Sequence, residues 1–273
     1  MILGGIPYYL NYLQKGKSLA QNIDQLFFAK NARLGQEYDR LFASVFSNPA
    51  AIQKIAELLA GRSMGYTRNE IAENTGISNG RGLSELLNAL IVSDFVVKYV
   101  PFGISKRYEH YKLIDPFCIF YIKFVKNKNA FNEAFWMENA SSQNIVSWRG
   151  FAFENVCFQH IRQIKSALGI SGISTRQSAW SKRENDQRGT QIDLLIERKD
   201  NVVNMCEIKF YSDEFSVDKD YDMVLRHRHQ LLSAELSKKQ MVHNTLITTY
   251  GLKYNSYSGD FASVITMDDL FAE

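Results

Sequence analysis

Apolar positions in the first half of this chain recur at helical spacing, whereas the second half carries short Ile, Leu and Val runs separated by polar breaks. Residues 2–46 read as mostly helical after Gly4, Gly5 and Pro7. Tyr8, Tyr9, Tyr12 and Leu13 form one amphipathic segment, and Ile23, Leu26, Phe27, Leu34, Tyr38, Leu41, Phe42, Val45 and Phe46 continue it, with breaks near helical spacing, as core positions. Asn48 and Pro49 mark a helix start, with Ile52, Ile55, Leu58 and Leu59 on its buried face, and Gly61 ends it. Thr67 and Glu70 have capping-box spacing, Gly76 makes a turn, and Ser78 opens a helix with Leu83, Leu86, Leu87, Leu90 and Ile91 inward. Residues 95–100 and 107–113, joined by a turn at Pro101 and Gly103, predict a hairpin. Helix, helix, helix and hairpin in this order predict a winged helix, with its wing at about 94–114.

Asp115 and Pro116 then start a helix carrying Phe117, Phe120, Tyr121 and Phe124, followed by Lys123, Lys126 and Lys128. Aromatics at that spacing predict core in preference to a base-stacking surface. The polar stretch 127–147, interrupted by Phe131, Phe135, Trp136 and Met137, reads as a linker between domains at 1–126 and 148–273. The expected fold class is α+β: a helical, winged-helix N-terminal domain followed by an α/β domain.

Two strand-like runs, Gln-Ile-Asp-Leu-Leu-Ile-Glu from 191 and Val-Val-Asn-Met-Cys-Glu-Ile-Lys to 209, flank a polar break at 198–201 and predict a hairpin. Alternation puts Asp193 with Leu195 on one face, and Met205, Glu207 and Lys209 together on one face of the second strand. A loop centred on Asp200 sets Asp193 across from Glu207, at a Cβ separation of roughly 5 Å. Two carboxylates so close repel unless a cation intervenes or one is protonated, and hard oxygen donors at this spacing suit Mg²⁺ or Mn²⁺.

Asp193 with Glu207-Ile208-Lys209 resembles the core of the PD-(D/E)xK nuclease superfamily. Members also carry an acid on a preceding helix. A helix is predicted over 148–168, where Cys157, Ile161, Ile164 and Leu168 form an apolar stripe that also holds Glu154. The order of a helix, a strand at 173–180, the hairpin, an Arg- and His-rich helix and a strand at 241–250 matches the superfamily. The resemblance implies a restriction-endonuclease-like domain in which Asp193 and Glu207 hold the metal. It also implies catalytic roles for Lys209, acting on the attacking water, and for Glu154, acting through the metal's outer shell.

Gly-Gly-Ile-Pro-Tyr-Tyr-Leu at 4–10 resembles a motif that follows the nucleotide-binding core in a family of AAA-like ATPases found in archaea and some bacteria, whose C-terminal part is nuclease-like. The P-loop pattern G-x-x-x-x-G-K-[ST] is missing, so no ATP site is expected in this chain. A separate ATPase partner, or a lost upstream ATPase portion, is implied instead.

A chain of 273 residues, 45% hydrophobic and 22% charged, has the material for two cores, and its net charge of +3 is too small to mark a nucleic-acid binder without local patches. Candidate DNA contacts are Arg81 on the third helix of the winged helix, Lys98, Lys106 and Arg107 on the wing alongside His110 and Lys112, and Arg226 and Arg228, which a helix with Leu225, Leu232 and Leu236 inward presents outward. The third helix offers one cation, so wing-to-phosphate contact is the expected mode. The loop cations Arg176, Lys182, Arg183 and Arg188 read as solvated, and His227 and His229 as surface histidines. Cys118, Cys157 and Cys206 lie in apolar runs and predict buried thiols in a reducing compartment. With no basic leader and no membrane-length apolar run, a cytoplasmic protein is expected. Two functions remain open at this point: a Mg²⁺-dependent nucleic-acid phosphodiesterase, or a non-catalytic DNA-binding or regulatory protein that uses a nuclease fold as scaffold.

Overall fold

The computed structural model describes residues 1–127, 132–184 and 187–272. Lys128, Phe131 and Asp186, and the side chains of Arg183, Glu184 and Arg188, lie outside the described residues. The protein is α+β and divides into two compact units, Met1–Lys98 with His110–Asn155, and Tyr99–Glu109 with Val156–Glu273.

The first unit does not open on one long helix. Pro7–Leu10 (α1) and Leu19–Ile23 (α2) are short, and α2 runs into a π-type turn at Asp24–Phe28. The winding widens where Asp24 is buried. Its carboxylate accepts the backbone N–H groups of Trp136 (2.7 Å) and Met137 (3.0 Å), which the helix start at Phe135–Asn139 leaves without intrahelical partners. Glu37–Val45 (α3) and Pro49–Ala60 (α4) follow, the latter capped by Asn48.

Tyr66–Thr67 (β1), Arg68–Thr75 (α5), Arg81–Val92 (α6), Val96–Tyr99 (β2) and His110–Leu113 (β3) come next, and the three strands form a sheet in the order β1-β3-β2. The Thr67–Glu70 capping box is formed, and Gly76 closes α5 at φ 68°. Arg68 fastens the following turn through Asn79 (2.6 Å), Ser84 (2.9 Å) and the Gly80 carbonyl (2.8 Å). Only part of the expected wing is strand: Lys106–Tyr108 is a 3-10 turn, and Phe102 N–H donates to the Ala179 carbonyl at 2.8 Å within the second unit. Lys112, expected to charge the wing, is instead 4% exposed, with its ammonium 5.7 Å from the Phe151 ring centre.

The aromatic helix Pro116–Phe120 (α7) continues as a π-type segment to Val125, and Phe117, Phe120, Tyr121 and Phe124 are all buried. Phe135–Asn139 (α8) and Gln143–Gln159 (α9) occupy much of the expected linker, and Trp136 and Ile145 belong to the core of the first unit. Trp136 and Trp148 pack edge to face against Phe120 and Phe124 at ring separations of 5.1–5.6 Å. Cys118, Cys157 and Cys206 are free and buried, as their apolar settings predict.

In the second unit Ile161–Ala167 (α10) precedes Thr175–Glu184 (β4), Gln187–Arg198 (β5) and Val202–Lys209 (β6). Then come Phe215–Ser216 (β7), Lys219–Glu235 (α11), Met241–Thr248 (β8), Leu252–Lys253 (β9), Ser263–Ile265 (β10) and Met267–Leu270 (α12). Five strands form a mixed sheet in the order β10-β8-β6-β5-β4. β4, β5 and β6 are antiparallel neighbours, while β6, β8 and β10 run parallel, the crossover from β6 to β8 being made by α11. Among the described residues no helix is long and apolar enough to cross a membrane.

Candidate functional site

The β5–β6 register fixes the centre of the site. Leu195 pairs with Met205 and Leu194 with Cys206, the last pair of the ladder, so Asp193 and Glu207 are the next residues along their two strands, and a register shift against β4 falls at residues 193–194. Pleating then turns Met205, Glu207 and Lys209 to one face. Leu195, Val203 and Met205 build an apolar floor on that face with Leu232 of α11.

Helix α11 meets this face with residues spaced four, three and four apart: Tyr221, Leu225, Arg228 and Leu232. Leu225 and Leu232 are buried as expected from the sequence, and Asp218 caps the helix through Tyr221 N–H at 2.8 Å. Arg228, expected outward with Arg226, turns in. The reason is electrostatic: Glu207 is 7% exposed, and a carboxylate that buried has to be paired.

Three donors meet the Glu207 carboxylate. Arg228 Nη1 donates to Oε2 at 2.7 Å, Lys209 Nζ lies 2.9 Å from Oε1, and the Tyr221 hydroxyl donates to Oε1. Lys209 also stands 5.0 Å from the centre of the Tyr221 ring. Arg228 Nε donates to Thr190 Oγ1 at 3.3 Å, and the Gln191 amide donates to Asp193 Oδ1. Two acids and two cations therefore balance within one cluster.

Burial pushes the Glu207 carboxyl upward, yet Lys209, Arg228 and the Tyr221 hydroxyl outweigh it and hold the group below the ordinary glutamate range. The Tyr221 phenol is driven far upward by burial and then by the adjoining carboxylate, so it remains a hydrogen-bond donor. Arg228 stays charged because Glu207, with help from Asp193, overcomes its own desolvation.

The remaining candidates are placed as follows. Glu154 is half-buried on α9 within the first unit. The helix predicted over 148–168 is interrupted: α9 ends at Gln159, and His160, whose Nδ1 lies 2.7 Å from the Val156 carbonyl, leaves helical geometry before α10 begins. Arg81 is exposed at the start of α6 and pairs with Glu85 at 2.8 Å, one turn along. Lys98 is exposed on β2, and Lys106 and Arg107 on the 3-10 turn, where Arg107 covers the Tyr108 ring at 4.8 Å. Arg226 is held by Asp222 (3.0 Å) and Asp260 (3.2 Å). His229 is bound to Asn244 at 2.8 Å, which takes it out of the expected solvated set.

No family model matches this chain, and no curated protein matches it either. The site therefore has to be read from its own chemistry.

Tyr221, Thr190 and Gln191 are site residues that the sequence reading did not assign. Tyr221 carried a signal all the same, because it shares a helical stripe with Leu225 and Leu232. Among the described residues no three His, Cys, Asp or Glu side chains form a ready-made cage for an ion. The oxygen donors next along the two strands from the last β5–β6 pair are the carboxylates of Asp193 and Glu207, with Ile208 following Glu207 in β6.

Proposed function

We propose that this protein is a Mg²⁺- or Mn²⁺-dependent nucleic-acid phosphodiesterase of the PD-(D/E)xK type. The observation that supports the reading is Lys209 meeting Glu207 at 2.9 Å on β6, with Asp193 one residue beyond the last β5–β6 pair, Leu194 with Cys206. The donor set fits a hard divalent ion, since both carboxylates are oxygen ligands and Glu207 is held ionised. Asp193, Glu207 and the Ile208 carbonyl are the groups that would hold it. Bound there, such an ion supplies a water of lowered pKa and screens the phosphate charge.

The chain's own residues supply the rest. Tyr221 and Arg228 fix the rotamer of Glu207 from α11, so the carboxylate is oriented before any ligand arrives. Lys209, one-third exposed, offers an ammonium to an attacking water or to the charge that builds on phosphorus. The order β1, α5, α6, β2, β3 with sheet order β1-β3-β2 supports a winged-helix reading of the first unit. Lys98 and Arg81 are then the phosphate-facing cations of this unit, and Lys106, Arg107 and Arg226 are candidate phosphate contacts on the second unit, whereas Arg228 is turned in on Glu207. The motif at 4–10 supports association with a separate ATPase partner.

One observation favours a second reading, that the nuclease-like fold is a non-catalytic scaffold for DNA binding or regulation. Glu207 already accepts from three donors, the arrangement of a structural ion cluster. A Mn²⁺ titration of wild type and Asp193→Ala, run beside a cleavage assay on single- and double-stranded DNA and on RNA, decides between them. The nuclease reading expects Mn²⁺ binding and metal-dependent cleavage that Asp193→Ala abolishes with the fold intact. Equal activity in both proteins, or no Mn²⁺ binding by wild type, overturns it.

A further inference from the structure

The sequence assigns Tyr8 and Tyr12 to the core, and the structure divides that segment. Tyr9 is 2% exposed and packs on Phe117, whereas Tyr8 is 58% exposed with its ring edge to face against Tyr12 at 5.1 Å. Arg33 lies over the Tyr12 ring at 4.9 Å. Two adjoining clefts of about 400 and 330 Å³ share Arg33 and Arg40, with Lys30 in the first and Tyr8 and Tyr12 in the second. All three cations are exposed, and among the described residues none of them is tied into an ion pair. The one acid lining either cleft, Glu37, already accepts the Tyr9 hydroxyl at 3.2 Å.

The loop that presents Lys30 and Arg33 is anchored, and Arg40 is carried on α3. Leu34 is 1% exposed and its N–H donates to the Leu26 carbonyl at 2.9 Å, while the Tyr121 hydroxyl donates to the Gly35 carbonyl at 2.7 Å. Arg33 is thus carried on a backbone fixed from both sides, and little ordering remains to be done on binding. Exposed aromatic faces beside several unpaired cations are what a base and its phosphate require together: stacking on the ring, charge on the guanidinium groups.

The geometry points to a nucleotidyl-binding site on the first unit, in which Tyr8 stacks an unpaired base and Arg33, Arg40 and Lys30 hold the adjoining phosphates of a single-stranded nucleic acid. The site is independent of the chemistry at Glu207. Duplex DNA, whose bases are stacked and paired, offers the phosphates without the free base face.

Fluorescence anisotropy with a labelled oligothymidylate tests this on the full chain, in EDTA so that cleavage plays no part. Wild type binds the single strand, and Tyr8→Ala weakens binding roughly tenfold. Arg33→Glu with Arg40→Glu abolishes the interaction or flattens its salt dependence by about 1.4 in logarithmic slope, while Arg33→Lys with Arg40→Lys retains most of it. Circular dichroism melts confirm that these surface variants remain folded. Free AMP as competitor separates the sources: no displacement identifies a strand as ligand, and displacement at equal concentration identifies a free nucleotide with the same chemistry. Unchanged binding in both Tyr8→Ala and the double charge reversal, or an equal loss of duplex and single-strand affinity in Tyr8→Ala, overturns the inference.

Discussion

Arg228 on α11 and Glu207 on β6 meet at 2.7 Å, joining the crossover helix to the central strand of the sheet through a buried ion pair. Removing the cation leaves the carboxylate with Lys209 and Tyr221 alone. Arg228→Met is expected to cost about 2 kcal/mol, the range for a hydrogen bond to a charged and mostly buried group. Urea unfolding monitored by circular dichroism measures it. A change within experimental scatter would show that the pair contributes orientation without stability.

The same carboxylate gives the protein an acid-side pH dependence. Glu207 is held below its unfolded value, so its stabilising contribution is complete above the ordinary glutamate range and is lost as pH falls through the depressed folded value. Glu207→Gln cannot be protonated, so its melting temperature should vary less than that of wild type across this acidic window. Parallel curves for the two proteins would count against the electrostatic account of the cluster.

Lys209 separates catalysis from assembly. Its ammonium is one of three donors on Glu207, and Tyr221 and Arg228 remain when it is lost. On the nuclease reading, Lys209→Met lowers metal-dependent cleavage by about 10²–10⁴-fold, the span usual for a positioned proton-handling group, while Mn²⁺ affinity changes far less. Single-turnover cleavage and a Mn²⁺ titration on one preparation check both halves. Undiminished cleavage would remove Lys209 from the reaction.

Gly65 admits no side chain. At φ 71° it sits so close to the Tyr111 carbonyl that a Cβ would lie 2.2 Å from the oxygen. Gly65→Ala combines a left-handed conformation with a backbone overlap, and about 3 kcal/mol of destabilisation is expected. Thermal unfolding of the variant provides the measurement. A loss under about 1 kcal/mol, the usual penalty for Ala in place of a positive-φ Gly alone, would mean that the contact with β3 relaxes freely.

Local signals determined much of this protein. The Thr67–Glu70 capping box, the Asn48-Pro49 helix start, and the buried stripes of Pro49–Ala60 and Arg81–Val92 follow from capping chemistry and from the 3.6-residue period, neither of which needs a distant partner. The β5–β6 hairpin was legible for the same reason: a short polar break fixes the register, and Asn201 in its loop takes φ 67°.

What tertiary structure decided are the cases where a distant group supplies the energy. Periodicity could not foresee that residues 2–46 break into short helices around Asp24, because its partners lie more than a hundred positions away at Trp136 and Met137. Nor could it turn Arg228 inward, bury Lys112 or expose Tyr8. A hydrophobic pattern ranks residues by transfer from water, but a buried carboxylate such as Glu207 reverses the preference of whichever cation reaches it, and only the assembled fold sets which one does.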